Sequence, residues 1–482
     1  MSKVTVRKSI INGKILCPPS KSYSHRAIVI ATLSNRPIHL ENVLLSRDTV
    51  ATARCCNMLG KNITILSNNE KLTSIADYAI SNGVGSLLMS GIGARDGYAT
   101  PDNFLNADNS GTTIRLLTSV SSFVKNGFTI LTGDNSLRKR PMKDLIRSLN
   151  QLGVECYSSK SDYSPPLIVK GGGMLGGETK ISGKVSSQFI SSLLLSSIYA
   201  KTKVTVKVLG NQVSKPYISS TISIMKKFGV DITNEIHGIK EDDSFSQHGL
   251  FSNNNQNNDF IRSDVKNESI TESYYIPNGV DYLPVSSFKI PGDFSTASLL
   301  LSSAILTEGE LDISGLDFTL PQGDTNIIEI LKIMGANIKD NKSSGTIKIT
   351  GTSNLEGGTF NLSDTPDLLP VVAILSLKCN SPVRITGITH ARYKESDRVA
   401  IIASQLPKFG AIVEESRDSL FITPPKKIKN ATIDSFDDHR LFMAFFIASM
   451  ASDESTIEGS ESVDVSYPKF LNDMKNLGAT IN

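Results

Sequence analysis

Cations set among small polar residues occur in five short segments that lie far apart in the chain. Each places Lys or Arg beside small, amide or acidic residues: Pro18–Arg26, Asn109–Arg115, Arg138–Pro141, Tyr393–Arg398 and Asp437–Arg440. Arg offers a planar fork of donors that suits carboxylate and phosphate, whereas Lys adds a mobile point charge. The pattern therefore predicts that these segments converge on a site for a small, multiply charged anion.

The first segment reads as an extended, proline-stiffened entry into a helix that begins near Ser24. Lys21, Ser22 and Arg26 would then lie at or within the first turn, where free backbone N–H groups and the positive end of the helix dipole favour an anion. A capped surface helix explains the same residues equally well, so this segment alone leaves both interpretations open.

Two other turns of small residues also open apolar helices. Asn109–Thr113 precedes one, and Val185–Phe189 precedes the other. Gly111 would let a ligand approach the backbone closely, whereas ordinary capping explains the serines of the second turn better than it explains Gln188. Neither turn is a Walker loop. Gly171–Gly176 matches a dinucleotide fingerprint, but a strand follows it, so we interpret it as a glycine-rich turn.

Two carboxylates are candidates for proton transfer. Asp367 follows Thr365 and Pro366 at the predicted start of an apolar helix, where its ionised form is favoured. It is either a capping charge or a hydrogen-bond acceptor for a substrate hydroxyl. Glu395 lies in the fourth cationic segment, and its spacing alone favours membership of a surface charge network.

Several common catalytic arrangements find no support. The sequence contains neither Gly-x-Ser-x-Gly nor His-Glu-x-x-His, which argues against acyl hydrolysis and zinc proteolysis. His25, His390 and His439 are ambiguous between structural and functional roles. The 5 cysteines are odd in number and show no ligand spacing with histidine, so we expect reduced structural thiols.

Length and composition indicate a two-domain protein outside the membrane. A chain of 482 residues exceeds the size at which a single core stops growing. We find no uncharged apolar stretch of about 18 residues and no apolar signal region, and therefore expect a cytoplasmic protein that does not bind membranes. A net charge of +3 is too small for a general nucleic-acid binder.

One unit recurs six times along the chain: an amphipathic helix closes on an apolar residue and Gly, and a short β-branched strand follows. The closing glycines are Gly60, Gly153, Gly229, Gly335, Gly410 and Gly478. A left-handed residue is needed there to satisfy the last helical carbonyls. The period of roughly 70–75 residues suits a unit of several strands and two helices, and six units divide into two domains of three.

Two polar insertions interrupt this spacing, near 67–92 and near 238–273. The second contains Ser252–Asp259, which has no apolar residue to offset the entropy of ordering. We predict a mobile loop there.

Seven motifs occur in the order found in one enzyme family. They are Pro-Ser-Lys-Ser-x-Ser-x-Arg, Asn-x-Gly-Thr-x-x-Arg, Arg-Pro, Ser-Ser-Gln-Phe, Ser-Lys-Pro-Tyr, Lys-Glu-Ser-Asp-Arg and Asp-His-Arg. Over nearly its full length, excepting the two insertions, the chain resembles the 5-enolpyruvylshikimate-3-phosphate synthases.

The resemblance implies an α/β fold, namely a two-domain inside-out α/β barrel with three βαββαβ-type repeats in each domain and six in total. One domain would span 21–280, and the other would combine 1–20 with 281–482. Hinges are expected near 17–21 and 278–285.

The resemblance also implies the reaction: the enolpyruvyl group of phosphoenolpyruvate passes to the 5-hydroxyl of shikimate 3-phosphate and phosphate is released, without a metal or other cofactor. Asp367 and Glu395 would transfer protons, with Lys21 as an accessory. Shikimate 3-phosphate would contact Lys21, Ser22, Arg26, Ser186, Ser187, Gln188, Ser214, Tyr217, Asp367, His390 and Lys394. Phosphoenolpyruvate would contact Lys21, Gly111, Arg140, Gln188, Arg398 and Arg440.

The chain departs from the family pattern at two positions. Other members carry Asn in place of His390. Many carry a Lys shortly before the aromatic-Pro pair near the C-terminus, where this chain has Val465 before Tyr467 and Pro468. Either the affinity for phosphoenolpyruvate is weaker, or Lys469 substitutes from the following helix.

Three rival interpretations remain at this stage: a degenerate, non-catalytic anion-binding member, an enolpyruvyl transferase for a UDP-linked amino sugar, and a nucleic-acid binder. The motifs argue against the second and the near-neutral charge argues against the third. We expect a monomer whose partners are the two small-molecule substrates.

Overall fold

The structure is a computed structural model. It describes residues 2–67, 70–72, 82–237, 269–283, 285, 287–352 and 354–482. The strands in chain order are β1 Lys3–Arg7, β2 Asn12–Leu16, β3 Ile38–Leu44, β4 Lys61–Ser67, β5 Glu70–Leu72, β6 Val84–Gly91, β7 Leu105–Asn106, β8 Phe128–Thr132, β9 Cys156–Ser158, β10 Leu167–Lys170, β11 Gly177–Ser182, β12 Val204–Leu209, β13 Thr233–Ile236, β14 Ile270–Ile276, β15 Phe288–Lys289, β16 Glu310–Ser314, β17 Asn337–Asn341, β18 Thr346–Thr350, β19 Gly358–Asn361, β20 Val383–Thr386, β21 Ile412–Glu415, β22 Ser419–Thr423, β23 Thr432–Asp434, β24 Glu454–Glu458 and β25 Thr480–Ile481. The α-helices are α1 Lys21–Leu33, α2 Arg47–Met58, α3 Gly111–Val120, α4 Lys143–Gln151, α5 Ser187–Ser197, α6 Pro216–Lys227, α7 Phe294–Leu306, α8 Ile327–Ile333, α9 Leu369–Leu375, α10 Arg398–Gln405, α11 His439–Ser449 and α12 Phe470–Asn476.

The described strands form six sheets of one shared topology. In each sheet a parallel pair of strands continues into antiparallel neighbours. The strand orders are β15-β3-β6-β4-β5, β7-β8-β10-β9, β11-β12-β14-β13, β17-β18-β16-β2, β19-β20-β22-β21 and β23-β24-β1-β25. Among the described residues two α-helices accompany each sheet, so the six-unit prediction is confirmed.

Three helices pack against one another at the centre of each half of the molecule. They are α1, α3 and α5 in one half and α7, α9 and α11 in the other. Every residue of α1 from Tyr23 to Leu33 is buried, as expected of a helix that other elements surround. Strands such as β8 alternate between buried and exposed residues, because their outer face meets solvent. Helices inside and sheets outside confirm the predicted inside-out α/β architecture.

Two hydrophobic cores divide the described residues. The first, which we call the first lobe, runs from Tyr23 to Ile290 and also takes in Leu320. The second lobe combines Val4–Cys17 with Phe294–Ala479. The first core thus extends ten residues beyond 280, and the domain and hinge limits given above stay predictions.

The chain passes between the lobes twice, and the two crossing segments lie side by side. Pro19 forms an antiparallel bridge with Gly292. The N–H of Ser20 donates to the Pro291 carbonyl at 2.7 Å, and the N–H of Asp293 donates to the Pro18 carbonyl at 2.9 Å. The crossings therefore form a paired connection directly beside Lys21.

The six closing glycines all adopt the left-handed backbone predicted for them, with φ between +80° and +116°. A side chain on Cβ disfavours this conformation, which explains the residue type. Each helix therefore ends at its Gly and the chain returns to a sheet; before Gly410 the last turn is the 3₁₀ helix Leu406–Phe409.

The structure differs from the sequence-based interpretation in three details. Helix α1 begins at Lys21 and not near Ser24, because the Ser20 side chain caps it by accepting from the N–H of Tyr23. Asp367 lies in a short 3₁₀ turn before α9, and no capping bond forms ahead of that turn. Residues 84–91, assigned to the first polar insertion, form β6 between β3 and β4.

The predicted mobile loop at 252–259 lies outside the described residues. Within the described part of the chain, no helix is both long and apolar enough to cross a membrane. The five cysteines are free and buried. The same part holds no cluster of three or more His, Cys, Asp or Glu side chains suited to a metal.

Candidate active site

A polar cleft lies between the lobes. Most of the predicted site residues line it. They are Lys21, Ser22, Gly111, Arg140, Ser186, Ser187, Gln188, Ser214, Tyr217, Asp367, His390, Lys394, Glu395 and Arg440. The cationic segments of the sequence thus converge on one cavity.

Three helices of each lobe have side-chain caps at the start that lies near the cleft, and the caps differ between the lobes. In the first lobe α1, α3 and α5 are capped by the serines Ser20, Ser110 and Ser186. In the second lobe α7, α10 and α11 are capped by Asp293, Asp397 and Asp438. A carboxylate cap offsets the positive end of a helix dipole, whereas a hydroxyl leaves it available. The first lobe is therefore the more favourable wall for an anion.

Asp367 and Glu395 share one buried cation. Arg398 donates from Nη1 to Asp367 Oδ1 at 2.9 Å and from Nη2 to Glu395 Oε2 at 2.7 Å. Its Nε donates to Asp438 Oδ2 at 2.8 Å. Arg440 Nη2 lies 3.1 Å from Asp367 Oδ2. The two predicted proton-transfer carboxylates are thus held at fixed positions on the second-lobe wall.

The same cations set the ionisation of these carboxylates. Burial would raise the pKa of Asp367, but Arg440, Lys394 and Arg398 together hold that pKa well below its usual range. Burial is likewise overcome at Glu395, whose pKa lies well below normal because of Arg398 and Arg140. Both groups are ionised acceptors at neutral pH.

The guanidinium groups of Arg115 and Arg140 lie close together at the first-lobe wall, and Glu395 acts on both without an ion pair to either. A Cβ atom placed on Gly111 would lie 2.6 Å from Arg140 Nη1 and 3.6 Å from Arg115 Nη1. Arg115 donates to Gln188 Oε1 and Arg140 donates to Asn109 Oδ1. Among the described residues neither guanidinium has a carboxylate within ion-pair distance, and both Nε atoms are buried without a partner.

The electrostatic state of Arg115 reflects this arrangement. Its burial, together with the neighbouring charge of Arg140, lowers the pKa of Arg115 to about 9. The charge of Glu395 opposes this lowering without forming an ion pair with Arg115. Two close cations that lack a directly bonded carboxylate favour an anion between them, so the turn at Gly111 is a candidate anion site.

Lys21, which also lines the cleft from the first lobe, already has an ion-pair partner. Its Nζ lies 2.9 Å from Asp48 Oδ2, in a pair whose side chains are only 14% and 7% exposed. Burial raises the pKa of Asp48, although Lys21 opposes that rise. An anionic ligand must therefore compete with Asp48 for the Lys21 ammonium group.

The remaining predicted residues place hydroxyl, amide and imidazole groups around the cleft. Tyr217 reaches across from the first lobe, and its hydroxyl donates to Asp367 Oδ2 at 3.2 Å. Ser214 has φ of +56° and donates its N–H to the Ser363 carbonyl at 3.1 Å. His390 has a buried Nε2 with no partner in the described part of the chain, and burial lowers its pKa to about 4.

Two predicted arginines do not line the cleft. Arg398 is 1% exposed and directs its donors to three carboxylates, of which Asp367 and Glu395 line the cleft. Arg26 is 2% exposed and donates to the carbonyls of Ser22 and Tyr217. In this structure both arginines hold cleft residues in place.

The sequence interpretation missed seven cleft residues: Asp48, Thr112, Arg115, Pro141, Val185, Asp293 and Tyr393. Arg115 was detectable, since it follows Gly111 by one helical turn and belongs to a cationic segment. Asp48 and Asp293 carry no motif signal, because only the fold brings them to the cleft.

The departure at Val465 leaves a buried apolar side chain, 7% exposed. Lys469 does not line the cleft. It is exposed, and its Cγ would lie 3.5 Å from a Cβ atom on Gly83. The structure therefore gives no support to compensation by Lys469.

Comparison with known proteins identifies the family of this chain. The family model described as EPSP synthase (3-phosphoshikimate 1-carboxyvinyltransferase) matches residues 6–249 and 261–474. A 3-phosphoshikimate 1-carboxyvinyltransferase of Methanosarcina acetivorans is 38% identical over 99% of this chain and 98% of its own length. A 3-phosphoshikimate 1-carboxyvinyltransferase of Methanococcus maripaludis strain C5 is 37% identical over 98% of this chain and 97% of its own length. An EPSP synthase structure from Acinetobacter baumannii superimposes with a TM-score of 0.76 at 23% identity, covering 100% of this chain and 99% of that one. The chain belongs to the EPSP synthase family.

Proposed function

We propose that this protein is a 3-phosphoshikimate 1-carboxyvinyltransferase, which transfers the enolpyruvyl group of phosphoenolpyruvate to the 5-hydroxyl of shikimate 3-phosphate and releases phosphate. The observation that carries the proposal is the presence, within one cleft, of two close arginines at Gly111 that form no ion pair and of the ionised carboxylates Asp367 and Glu395. Anion binding and proton transfer are the two requirements of this reaction.

Phosphoenolpyruvate binds at the Gly111 turn in this proposal. Arg140 and Arg115 neutralise its charge, and Gln188, which Arg115 orients through a 2.7 Å hydrogen bond, fixes its position. Lys21 and Arg440 complete the set from opposite sides of the cleft. Arg398 contributes by fixing the carboxylates that face this substrate.

Shikimate 3-phosphate binds beside it, between the serine-capped start of α5 and the second-lobe wall. Its residues are Lys21, Ser22, Ser186, Ser187, Gln188, Ser214, Tyr217, Asp367, His390 and Lys394. Arg26 acts indirectly, because it holds the backbone of Ser22 and Tyr217 by donating to both carbonyls.

The chemical steps use the carboxylates in sequence. Asp367 accepts the proton of the 5-hydroxyl while the oxygen forms its bond to C2 of phosphoenolpyruvate, and Glu395 or Lys21 delivers a proton to the methylene carbon. Elimination removes a proton from that methyl group as the C–O bond to phosphate breaks. Two bound polyanions add negative charge beside Glu395 and raise its pKa, which lets it carry the proton.

A product-resolved assay tests the proposal. Purified protein is incubated with phosphoenolpyruvate and shikimate 3-phosphate, phosphate release is followed continuously, and the organic product is identified by ³¹P NMR. The expected result is a new enol ether phosphate formed only when both substrates are present. Turnover with a UDP-linked amino sugar instead, or binding of both substrates without turnover, would overturn it.

We further propose, from the sequence, that the enzyme works as a cytoplasmic monomer and binds no nucleic acid. One chain supplies every residue named above, which is compatible with a monomeric site. Size-exclusion chromatography with light scattering, run with and without both substrates, measures the oligomeric state, and a dimer would contradict this proposal.

A further inference from the structure

A third buried carboxyl group lies behind the two that face the cleft. Asp324 belongs to the 3₁₀ turn Gly323–Asn326 of the second lobe and is 3% exposed. Its Oδ2 accepts a hydrogen bond from the Ser295 hydroxyl at the start of α7. Its Oδ1 is buried and has no hydrogen-bond partner among the described residues. The buried carboxyl group therefore keeps hydrogen-bonding capacity that the described residues do not use.

The Tyr217 hydroxyl bridges Asp324 to the cleft. Its oxygen lies 3.2 Å from Asp367 Oδ2 and 3.4 Å from Asp324 Oδ2. A single phenolic proton can be donated to only one of the two carboxylates at a time. The hydroxyl is therefore placed to receive a proton from one carboxyl group and to pass its own to the other.

The two carboxylates at the ends of this bridge have opposite surroundings. Asp367 faces Arg440, Lys394 and Arg398, so it is a poor place to keep a proton. Around Asp324 stand the carboxylates of Asp367 and of Asp293, which caps α7, and the Tyr217 phenol of α6, while Arg440 of α11 supplies the opposing charge.

The ionisation of Asp324 follows from those surroundings. Burial and the nearby Asp367 charge raise the pKa of Asp324 to about 7, against the opposing effect of Arg440. A proton therefore rests on Asp324 more readily than on Asp367, and it can leave again near neutral pH.

We propose that Asp324 stores the substrate hydroxyl proton between the two halves of the reaction, receiving it from Asp367 through the Tyr217 hydroxyl. This proposal rests on the proposed function. In the addition step the substrate O–H bond breaks and the proton binds Asp367. Asp367 then protonates the Tyr217 oxygen while the phenolic proton moves to Asp324, which leaves Asp367 ionised. The reverse transfer returns the proton, and it leaves with the departing phosphate.

A purely structural role for Asp324 does not explain all of its contacts. Asp324 does fix the Ser295 hydroxyl, but that contact uses only Oδ2. Neither Oδ1 nor the approach of a tyrosine from the opposite lobe is needed to stabilise α7, whose cap is Asp293.

The test compares Asp324→Asn with wild type over pH 5.5–9. In wild type, kcat is expected to fall as the pH falls through about 7, because Asp324 is then already protonated and cannot accept. In Asp324→Asn that inflection is expected to vanish and kcat to drop about tenfold to a hundredfold, with the KM for shikimate 3-phosphate within about threefold. Asp340→Asn is the matched control, since Asp340 is 14% exposed, pairs with Lys332 and lies outside the cleft.

A stability measurement supplies a readout that is independent of turnover. A carboxyl group whose pKa is raised on folding stabilises the protein below its unfolded pKa, and that stabilisation is lost as the pH rises through the folded value. The Tm of Asp324→Asn relative to wild type is therefore expected to increase between pH 5 and pH 8. A difference in Tm that does not change with pH would overturn the proposal.

Each outcome separates this proposal from the proposed function. If wild type shows no turnover, the proposed transferase function fails, and the proton relay through Tyr217 to Asp324 fails with it. Turnover by wild type, combined with an unchanged inflection or an unchanged kcat in Asp324→Asn, overturns the relay alone. If Asp324→Asn does not fold, Tyr217→Phe takes its place, because it removes the bridge and keeps the acid; an inflection retained in Tyr217→Phe overturns the relay.

Discussion

At the scale of single residues, Arg398 shows what residue type and spacing can predict about a site and what they cannot. Its place in a cationic segment, and the resemblance, predicted contact with phosphoenolpyruvate. In the structure its donors face three carboxylates, two of them the proposed proton-transfer groups, and its contact with phosphoenolpyruvate stays a prediction. Sequence spacing identifies a cation near a site but does not say which anion it faces, since that depends on packing from other elements.

Gly111 is the residue at which a small change should have the clearest effect. We expect Gly111→Ala to raise the KM for phosphoenolpyruvate roughly tenfold and to leave that for shikimate 3-phosphate within about twofold. The added Cβ would lie 2.6 Å from Arg140 Nη1, so the guanidinium must move away from its ligand position. Steady-state kinetics with each substrate varied in turn measures both constants.

The fold should survive this substitution, because the crowded atom is the far end of a flexible side chain. Gly358→Ala in β19 is a suitable control, since the nearest atom to its Cβ is a ring carbon of Phe360 at 3.4 Å, outside the cleft. An equal rise in both KM values for Gly111→Ala would count against a phosphoenolpyruvate site at this turn.

His390 tests the interpretation of a neutral imidazole in the shikimate 3-phosphate site. Burial and Lys394 lower its pKa to about 4, so the ring is uncharged above that pH and becomes charged only below it. We expect His390→Asn to keep kcat/KM within about threefold and to leave the pH profile between pH 6 and 8 unchanged, whereas His390→Leu loses about tenfold because it removes a hydrogen-bonding group proposed to contact shikimate 3-phosphate. A steep loss in His390→Asn would mean that the imidazole does more than hydrogen-bond.

At the scale of elements, the closing glycines made the six units predictable. A left-handed glycine is a local requirement, so Gly60 and its five counterparts identify helix ends without knowledge of the fold. The strand at residues 84–91 was missed for the opposite reason. Its sequence mixes Gly and Ser with Leu and Met, and only pairing with β3 and β4 makes it a strand.

The contrast between serine and aspartate caps leads to a prediction about α5. Ser186 caps this helix and lines the cleft. We expect Ser186→Asp to keep or raise Tm, because it still caps the helix, and to raise the KM for shikimate 3-phosphate about fivefold to thirtyfold by opposing an anion at the dipole. Differential scanning fluorimetry and steady-state kinetics measure the two effects.

Ser186→Asn is the neutral control, since an amide caps the same N–H without adding charge. It should leave KM within about threefold. If Asn and Asp raise KM equally, the effect is steric and the argument from the helix dipole is wrong.

At the scale of the whole molecule, contacts on several sides of the cleft hold the two lobes together. Tyr23 Oη donates to the Pro321 carbonyl at 3.0 Å, and Ser136 Oγ donates to the Glu395 carbonyl at 3.0 Å. Asp324 meets Tyr217 only in this assembly, and Asp48 and Asp293 reach the cleft only through the fold of their own lobes. Their importance was therefore invisible to motif spacing, whereas the motifs at helix starts were sufficient to locate the cleft.

The most direct test of a two-substrate transferase cleft is phosphate release by wild type and Asp367→Asn measured in parallel. We predict that wild type releases phosphate only with both substrates present. Asp367→Asn should be slower by about a hundredfold or more, while it binds shikimate 3-phosphate within about threefold of wild type by calorimetry. A wild-type rate in Asp367→Asn, or no phosphate release by wild type that binds both substrates, would contradict the account.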